Sequence, residues 1–270
     1  MASPMNEENE EYEEQPVKPI RLAGLISGGG RTLLNLADAI DEGRLHAKIE
    51  LVIASRPGAT GIARLRDRGY EVRIAPPPPR PSPASHRVTP EPPKTNAGLE
   101  EAETEAEVGT GTGDGESSSD PSSSMHAVHD TITGWFDEKR IDLVCLAGYL
   151  RWLKIEPRYR GRVMNIHPAL LPKFGGPGMY GHHVHRAVLA AGETESGCTV
   201  HFVDEEYDHG PVILQRTCPV LPDDDPDSLA ARVFEQECKA YPEAVELFAQ
   251  RRLRIVGERV EVVGGTKGGK

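Results

Sequence analysis

Val163-Met164-Asn165-Ile166-His167-Pro168-Ala169-Leu170-Leu171-Pro172-Lys173 opens apolar, carries two polar groups two residues apart, and closes on two prolines. Side chains alternate faces along a strand, so Asn165 and His167 share a side. Pro168 has no backbone N–H and pushes His167 toward an extended conformation, which ends the strand. A carboxamide and an imidazole are therefore expected together where a strand stops. Open α/β sheets hold ligands in the crevice beyond such carboxyl ends. Taken alone, the pair fits equally a turn tied down by Asn and His beside proline.

Working outward, the spacing of Val128, Ile132, Trp135 and Phe136 predicts a helix over Met125 to Lys139, and a strand follows over Ile141 to Leu146. The turn after it, Ala147-Gly148-Tyr149-Leu150-Arg151-Trp152-Leu153, is rich in large apolar side chains for a strand-end loop. It reads either as a wall for a flat aromatic ligand or as ordinary packing of a short connector. On the other side come a glycine-rich loop, Gly175 to Tyr180, and a helix from His182 through Ala191. Strands follow over Ser196 to Val203 and Pro211 to Pro219. The run Pro222-Asp223-Asp224-Asp225-Pro226-Asp227-Ser228 caps a long helix from about Leu229 to Gln250, interrupted near Pro242, and a hairpin closes the fold at Leu253 to Val263. His182, His183 and His185 have no carboxylate or Cys at ligand spacing, so no metal site is expected.

The chain begins with the strand Ile20 to Ile26, the glycine turn Ser27-Gly28-Gly29-Gly30-Arg31-Thr32 and a helix marked by Leu33, Leu34, Leu36, Ala37 and Ile40. Free N–H groups at a helix start favour an anion such as phosphate. A dinucleotide fingerprint needs glycine where Leu33 stands, and no Gly-Lys-Ser/Thr follows, so a single phosphate fits better than NAD or ATP; a tight turn holding nothing is the other reading. A strand at Ile49 to Ala54, a helix near Ala59 to Arg68 and a strand at Tyr70 to Ile74 continue the βα alternation of a parallel sheet. The fold class is α/β, a Rossmann-like, mostly parallel open sheet with helices on both faces.

Within the 270 residues, 37% hydrophobic content and 23 prolines leave room for segments that do not fold. Residues 76–124 carry four consecutive prolines, an acidic run and a Ser-rich tract, and read as a disordered insertion; residues 1–18 read as an acidic tail and 264–270 as a flexible one. A single domain is expected from 19–75 and 125–263. Residues 1–16 and 97–124 carry fourteen acidic groups and no basic ones, so the net charge of −11 leaves about +3 for everything else. That balance permits small anionic ligands and makes no case for a nucleic-acid surface. Cys145, Cys198, Cys218 and Cys238 form no C-x-x-C pair and are expected reduced. With no membrane-length apolar run and no basic leader, a cytoplasmic location is expected. Oligomeric state is not legible.

Asn165-Ile166-His167-Pro168, with Leu170-Leu171-Pro172-Lys173, His201-Phe202-Val203, Asp208 and Gly210-Pro211-Val212-Ile213-Leu214-Gln215, resembles the formyltransferase family that uses 10-formyltetrahydrofolate. Ile26-Ser27-Gly28 brings the resemblance closest to members that formylate glycinamide ribonucleotide in purine biosynthesis. It covers about residues 20–75 and 125–256. It implies direct attack of the acceptor amine on the formyl carbon, through a tetrahedral oxyanion. 10-formyltetrahydrofolate would be a co-substrate, with no bound cofactor. By the same resemblance Asn165, a protonated His167 and Asp208 are the catalytic residues, the carboxylate favouring the imidazolium. Gly30, Arg31 and Thr32 would meet the acceptor phosphate and Glu237 its ribose or glycinamide end. Tyr149, Leu150, Arg151, Trp152, Leu153 and Val163, with Asn165, would hold the folate. Three departures stand out: Gly28-Gly29-Gly30-Arg31-Thr32 replaces a loop that often runs Gly-Asn-Gly-Ser-Asn, Phe234 replaces a polar ribose contact, and the insertion replaces a segment carrying a folate-contacting Arg.

The main rival is a formyltetrahydrofolate hydrolase on the same scaffold, releasing formate, whose relatives carry an N-terminal regulatory domain in place of this short tail. Formylation of initiator tRNA calls for a further basic C-terminal domain. An NAD oxidoreductase has no use for Asn165, His167 and Asp208.

Overall fold

The computed structural model describes residues 18–77 and 121–264, without the side chains of 121–126. Most of the expected acidic tail and insertion, and the last six residues, lie outside the described residues. In chain order the elements are β1 (Ile20–Ile26), α1 (Arg31–Asp41), β2 (Ala47–Ala54), α2 (Gly61–Asp67), β3 (Val72–Ile74), α3 (Pro121–Glu138), β4 (Leu143–Leu146), a 3₁₀ turn (Pro157–Tyr159), β5 (Val163–His167), α4 (His182–Ala190), β6 (Glu195–Phe202), β7 (Val212–Pro219), α5 (Pro226–Ala249) and the hairpin β8 (Leu253–Val256) and β9 (Arg259–Val262).

Seven strands form one sheet in the order β3-β2-β1-β4-β5-β6-β7. From β3 to β5 neighbouring strands run parallel, whereas β6 and β7 are antiparallel to their neighbours. The chain leaves β1 toward β2 and β3, then returns through α3 to β4 on the other side of β1. That reversal opens a crevice between the carboxyl ends of β1 and β4, the place where such sheets hold ligands. Ser27 N–H donates to the Gly148 carbonyl across it at 3.0 Å.

One apolar cluster packs α1, α2, α4 and α5 on one face through Leu33, Leu36, Leu65, Val184, Val233 and Tyr241. The other sets Val128, Ile132 and Phe136 of α3 against Leu25, Leu51 and Val144 on the opposite face. Helices thus cover both sides, as the near-continuous apolar strands require. The Tyr241 hydroxyl, fully buried, reaches the carbonyls of Leu146 and Met164 at 3.1 and 3.0 Å, tying α5 to the ends of β4 and β5.

Two element boundaries differ from those expected. α3 begins at Pro121, inside the stretch read as disordered; proline at a helix start costs no hydrogen bond, so the Ser-rich composition there misleads. α5 runs unbroken from Pro226 to Ala249 with Pro242 inside it. Proline usually interrupts a helix, but here Ala240, Tyr241, Pro242, Ala244 and Val245 are all buried, and packing holds the turn. The cap is as read: Asp225 Oδ1 accepts from the N–H groups of Asp227 and Ser228 at 3.0 and 2.8 Å, and Asp225 N–H donates to Ser228 Oγ at 3.0 Å. Among the described residues, no helix is long and apolar enough to cross a membrane.

Candidate active site

β5 ends at His167, and its antiparallel partner β6 sets Asn165 opposite His201 and His167 opposite Thr199. The loop that leaves β5 is clamped by two neutral side chains. Thr199 Oγ1 accepts from Leu171 N–H at 3.0 Å and donates to the Ala169 carbonyl at 2.7 Å. Gln215 Nε2 donates to Leu171 O and to Thr199 Oγ1, at 2.9 and 2.8 Å. The loop then folds over Asp208. A Cβ at Gly175 would lie 2.5 Å from Leu171 Cδ2 and 3.2 Å from Asp208 Cβ, so only glycine permits that approach. The next amide, Gly176 N–H, donates to Asp208 Oδ2 at 3.0 Å.

These contacts bring Asn165, His167 and Asp208 together as the sequence predicted, with His201 as a fourth member. Asp208 Oδ2 lies 3.4 Å from His167 Nδ1, and its Oδ1 lies 3.3 Å from Asn165 Nδ2 and 3.7 Å from His201 Nε2. His201 Nδ1 sits 2.8 Å from the Phe202 carbonyl and His167 Nε2 sits 2.7 Å from the Phe174 carbonyl. A carbonyl only accepts, so each of those nitrogens carries a proton. His201 Nε2 is then an acceptor for the Asn165 amide at 3.2 Å, which aims the NH₂ end of Asn165 at His201 and Asp208.

Electrostatics correct one expectation. Burial lowers the His167 pKa, and the Asp208 charge with the Phe174 carbonyl offsets that only in part, so the imidazole lies below its ordinary value. The resting ring is therefore neutral near pH 7, not the imidazolium expected from its carboxylate neighbour alone. Burial pushes the Asp208 carboxyl up, but the charge that His201 and His167 carry when protonated, with the Gly176 N–H, outweighs it and holds the group below the usual carboxylate range. A neutral base with its Nδ1 lone pair exposed to an ionised carboxylate is ready to take a proton and be stabilised when it does.

The set opens onto a cavity of about 470 Å³. Gly148 to Leu153 form one wall, the expected folate turn, with Leu150 half exposed at 53% and Leu150 N–H held by Ser27 Oγ at 2.9 Å. Arg151 donates to the Pro76 carbonyl at 2.8 Å, fixing the rim. Arg31, Thr32, Phe234 and Glu237 form the far end. Gly30 caps α1 in a left-handed conformation, φ 67°, immediately before Arg31. Val163 shares a strand face with Asn165 and lies in the α3-side core, in one cluster with Tyr149 and Leu153 of the apolar turn. His185, weighed in the sequence only as a metal ligand, lines the cavity, where burial brings it down to about 4. Among the described residues no cluster of His, Cys, Asp or Glu could hold a metal ion.

Burial pushes Glu237 up to about 7, against the Arg31 charge and the Thr32 hydroxyl. The folded state thus binds this proton more tightly than the unfolded chain. Its stabilisation is complete below the ordinary carboxylate value of about 4.3 and is lost as pH rises to about 7. Glu237→Gln should therefore flatten the pH dependence of thermal stability. Between pH 5 and pH 8 the wild-type melting temperature is expected to fall further than the variant's, by about 3 °C or more. Parallel melting curves would mean that Glu237 is ionised throughout.

Residues 20–245 match the family model described as formyl transferase. The chain is 36% identical over 248 residues to a trifunctional purine biosynthetic protein adenosine-3 of Drosophila pseudoobscura pseudoobscura, covering 90% of this chain and 15% of that protein. It is 30% identical over 237 residues to the phosphoribosylglycinamide formyltransferase of Haemophilus influenzae, covering 87% of this chain and 90% of the relative. Among solved structures, glycinamide ribonucleotide transformylase 1 from Symbiobacterium toebii superposes with a TM-score of 0.69 at 32% identity, over 92% of this chain and 95% of that one. The chain therefore spans a small part of the trifunctional relative and most of the length of the other two.

Proposed function

Because the chain belongs to the formyl transferase family, we propose that it transfers the formyl group of 10-formyltetrahydrofolate to the amine of phosphoribosylglycinamide. The observation that carries this reading is one cavity with three unlike regions. An apolar turn, Gly148 to Leu153, suits a flat ring; a cation, Arg31, suits a phosphate; and the polar set Asn165, His167 and Asp208 lines the same cavity. Relatives named for this reaction, similar over most of their length, support it.

In the reaction proposed, the acceptor amine attacks the formyl carbon, and the carbonyl electron pair moves to oxygen. The amine nitrogen becomes cationic and the oxygen anionic. Asn165 Nδ2, held by two long bonds of 3.2 and 3.3 Å, can turn a donor to that oxygen. His167 Nδ1 takes a proton from the amine, directly or by way of Asp208 and water, and the resulting imidazolium lies beside the Asp208 carboxylate. Collapse of the intermediate breaks the bond to the folate N10, which leaves with a proton returned by His167. No covalent enzyme intermediate is required.

The test is consumption of 10-formyltetrahydrofolate with and without phosphoribosylglycinamide. Consumption that depends on the acceptor, with formylated product in equal amount, supports the transferase. Equal rates with and without it, with formate released, would replace this reading by the hydrolase.

A further inference from the structure

Arg31 opens α1 with an exposed side chain. Its guanidinium carbon lies 4.4 Å from the centroid of the Phe234 ring on α5. Among the described residues, no hydrogen bond or ion pair fixes that guanidinium. One residue along α1 and three along α5, Thr32 and Glu237 line the same cavity. The first turn of α1 and one face of α5 therefore meet through the Arg31–Phe234 contact, and all four side chains line the cavity. A guanidinium over an aromatic face is held by the ring quadrupole and keeps its N–H edges free to donate in its own plane. The ring thus restricts a flexible cation without using up its donors, as a carboxylate partner would.

We propose that Phe234 is a positioning residue: its ring holds the Arg31 guanidinium where it meets the acceptor's phosphate, and the pair selects a phosphorylated acceptor. The inference rests on the acceptor reading given above. It assigns selectivity for phosphate to a side-chain pair joining two helices, and gives the aromatic residue at 234 an electrostatic role. Leucine at 234 would fill similar space but offers no quadrupole.

The experiment compares phosphoribosylglycinamide with its dephosphorylated riboside as acceptors, using the full chain and the variants Arg31→Gln, Phe234→Leu, Phe234→Tyr and Arg31→Gln/Phe234→Leu. Arg31→Gln is expected to raise KM for the phosphorylated acceptor on the order of ten- to a hundredfold, as for loss of a charged hydrogen bond, with kcat within about twofold. Phe234→Leu is expected to raise it by roughly three- to tenfold, and Phe234→Tyr, which keeps the ring face, to restore it. The double variant should be no worse than Arg31→Gln alone, since the ring acts through the cation. Competitive inhibition by inorganic phosphate should weaken in step with these changes, while kinetics with the riboside stay level. The proposal is overturned if Phe234→Leu damages both acceptors equally or if its effect adds in full to that of Arg31→Gln. Acceptor-independent folate consumption by the wild type is a different result, which would remove the acceptor reading itself.

Discussion

Turnover of Asp208→Asn is expected to fall by roughly two to four orders of magnitude, the range for losing acid–base and charge stabilisation together. The substitution keeps the shape of the side chain. An amide oxygen still accepts from Gly176 N–H, now 3.0 Å away, so the loop over residue 208 is retained. What disappears is the negative charge 3.4 Å from His167 Nδ1. In the resting enzyme burial already holds that imidazole below its ordinary value, and the Asp208 charge works against burial. Removing the charge lowers the pKa further, because the carboxylate had favoured the protonated ring. The ring then becomes a weaker base at the step where it must accept the amine's proton. Dissociation constants for both substrates should change little, since the charge acts mainly as the transition state develops. Turnover, folate binding and the NMR titration of His167 in wild type and variant provide the check. Near wild-type turnover with an unmoved titration would remove Asp208 from the mechanism and leave it as a turn residue, a role its positive φ of 55° also suits.

The second large effect is expected at Asn165. Asn165→Ala should lower kcat by roughly a hundredfold to a thousandfold, as when one donor to a developing oxyanion is lost. The amide is aimed rather than free. His201 Nδ1 faces the Phe202 carbonyl and its Nε2 meets the Asn165 amide, while the Asp208 carboxylate accepts on the other side. Both contacts are long, 3.2 Å to an imidazole nitrogen and 3.3 Å to a carboxylate oxygen, so one can be exchanged for the developing oxyanion at modest cost. The variant should bind folate nearly as well as the wild type. A loss appearing only in KM, with kcat preserved, would mean that Asn165 binds substrate without stabilising the transition state.

Much of this arrangement is legible in the chain. Apolar runs broken by glycine or proline locate β1, β2, β4 and β5 to within two residues, because parallel strands are buried on both faces and carry a continuous signal. Asn165 and His167 follow from alternation and the proline stop, and Asp208 from the resemblance to folate-dependent formyltransferases. His201 is harder to single out, since within Thr199-Val200-His201-Phe202 it reads as one more strand residue; only its register opposite Asn165 reveals its part. The carbonyls of Phe174 and Phe202 that fix the tautomers belong to the backbone and leave no trace in side-chain identity. Gly30 is legible as the left-handed cap that places Arg31 and Thr32 at the start of α1, and Val163 by strand parity, which sets it on the face of Asn165. The protonation of His167 was misjudged because proximity to a carboxylate can be read from a motif, whereas the desolvation opposing it requires the packed site.

The clamp made by Thr199 and Gln215 has a consequence in the language of amide exchange. Leu171 belongs to no regular element, and loop amides ordinarily trade their hydrogens for solvent deuterium on the fastest timescale a protein offers. Yet its N–H is buried against Thr199 Oγ1, and its carbonyl is held by Gln215, one side chain from each of two neighbouring strands. To release that hydrogen, the loop must leave both side chains at once. The Leu171 amide should therefore exchange far more slowly than its neighbours in the loop, with a lifetime reporting the detachment of the loop from β6 and β7 together.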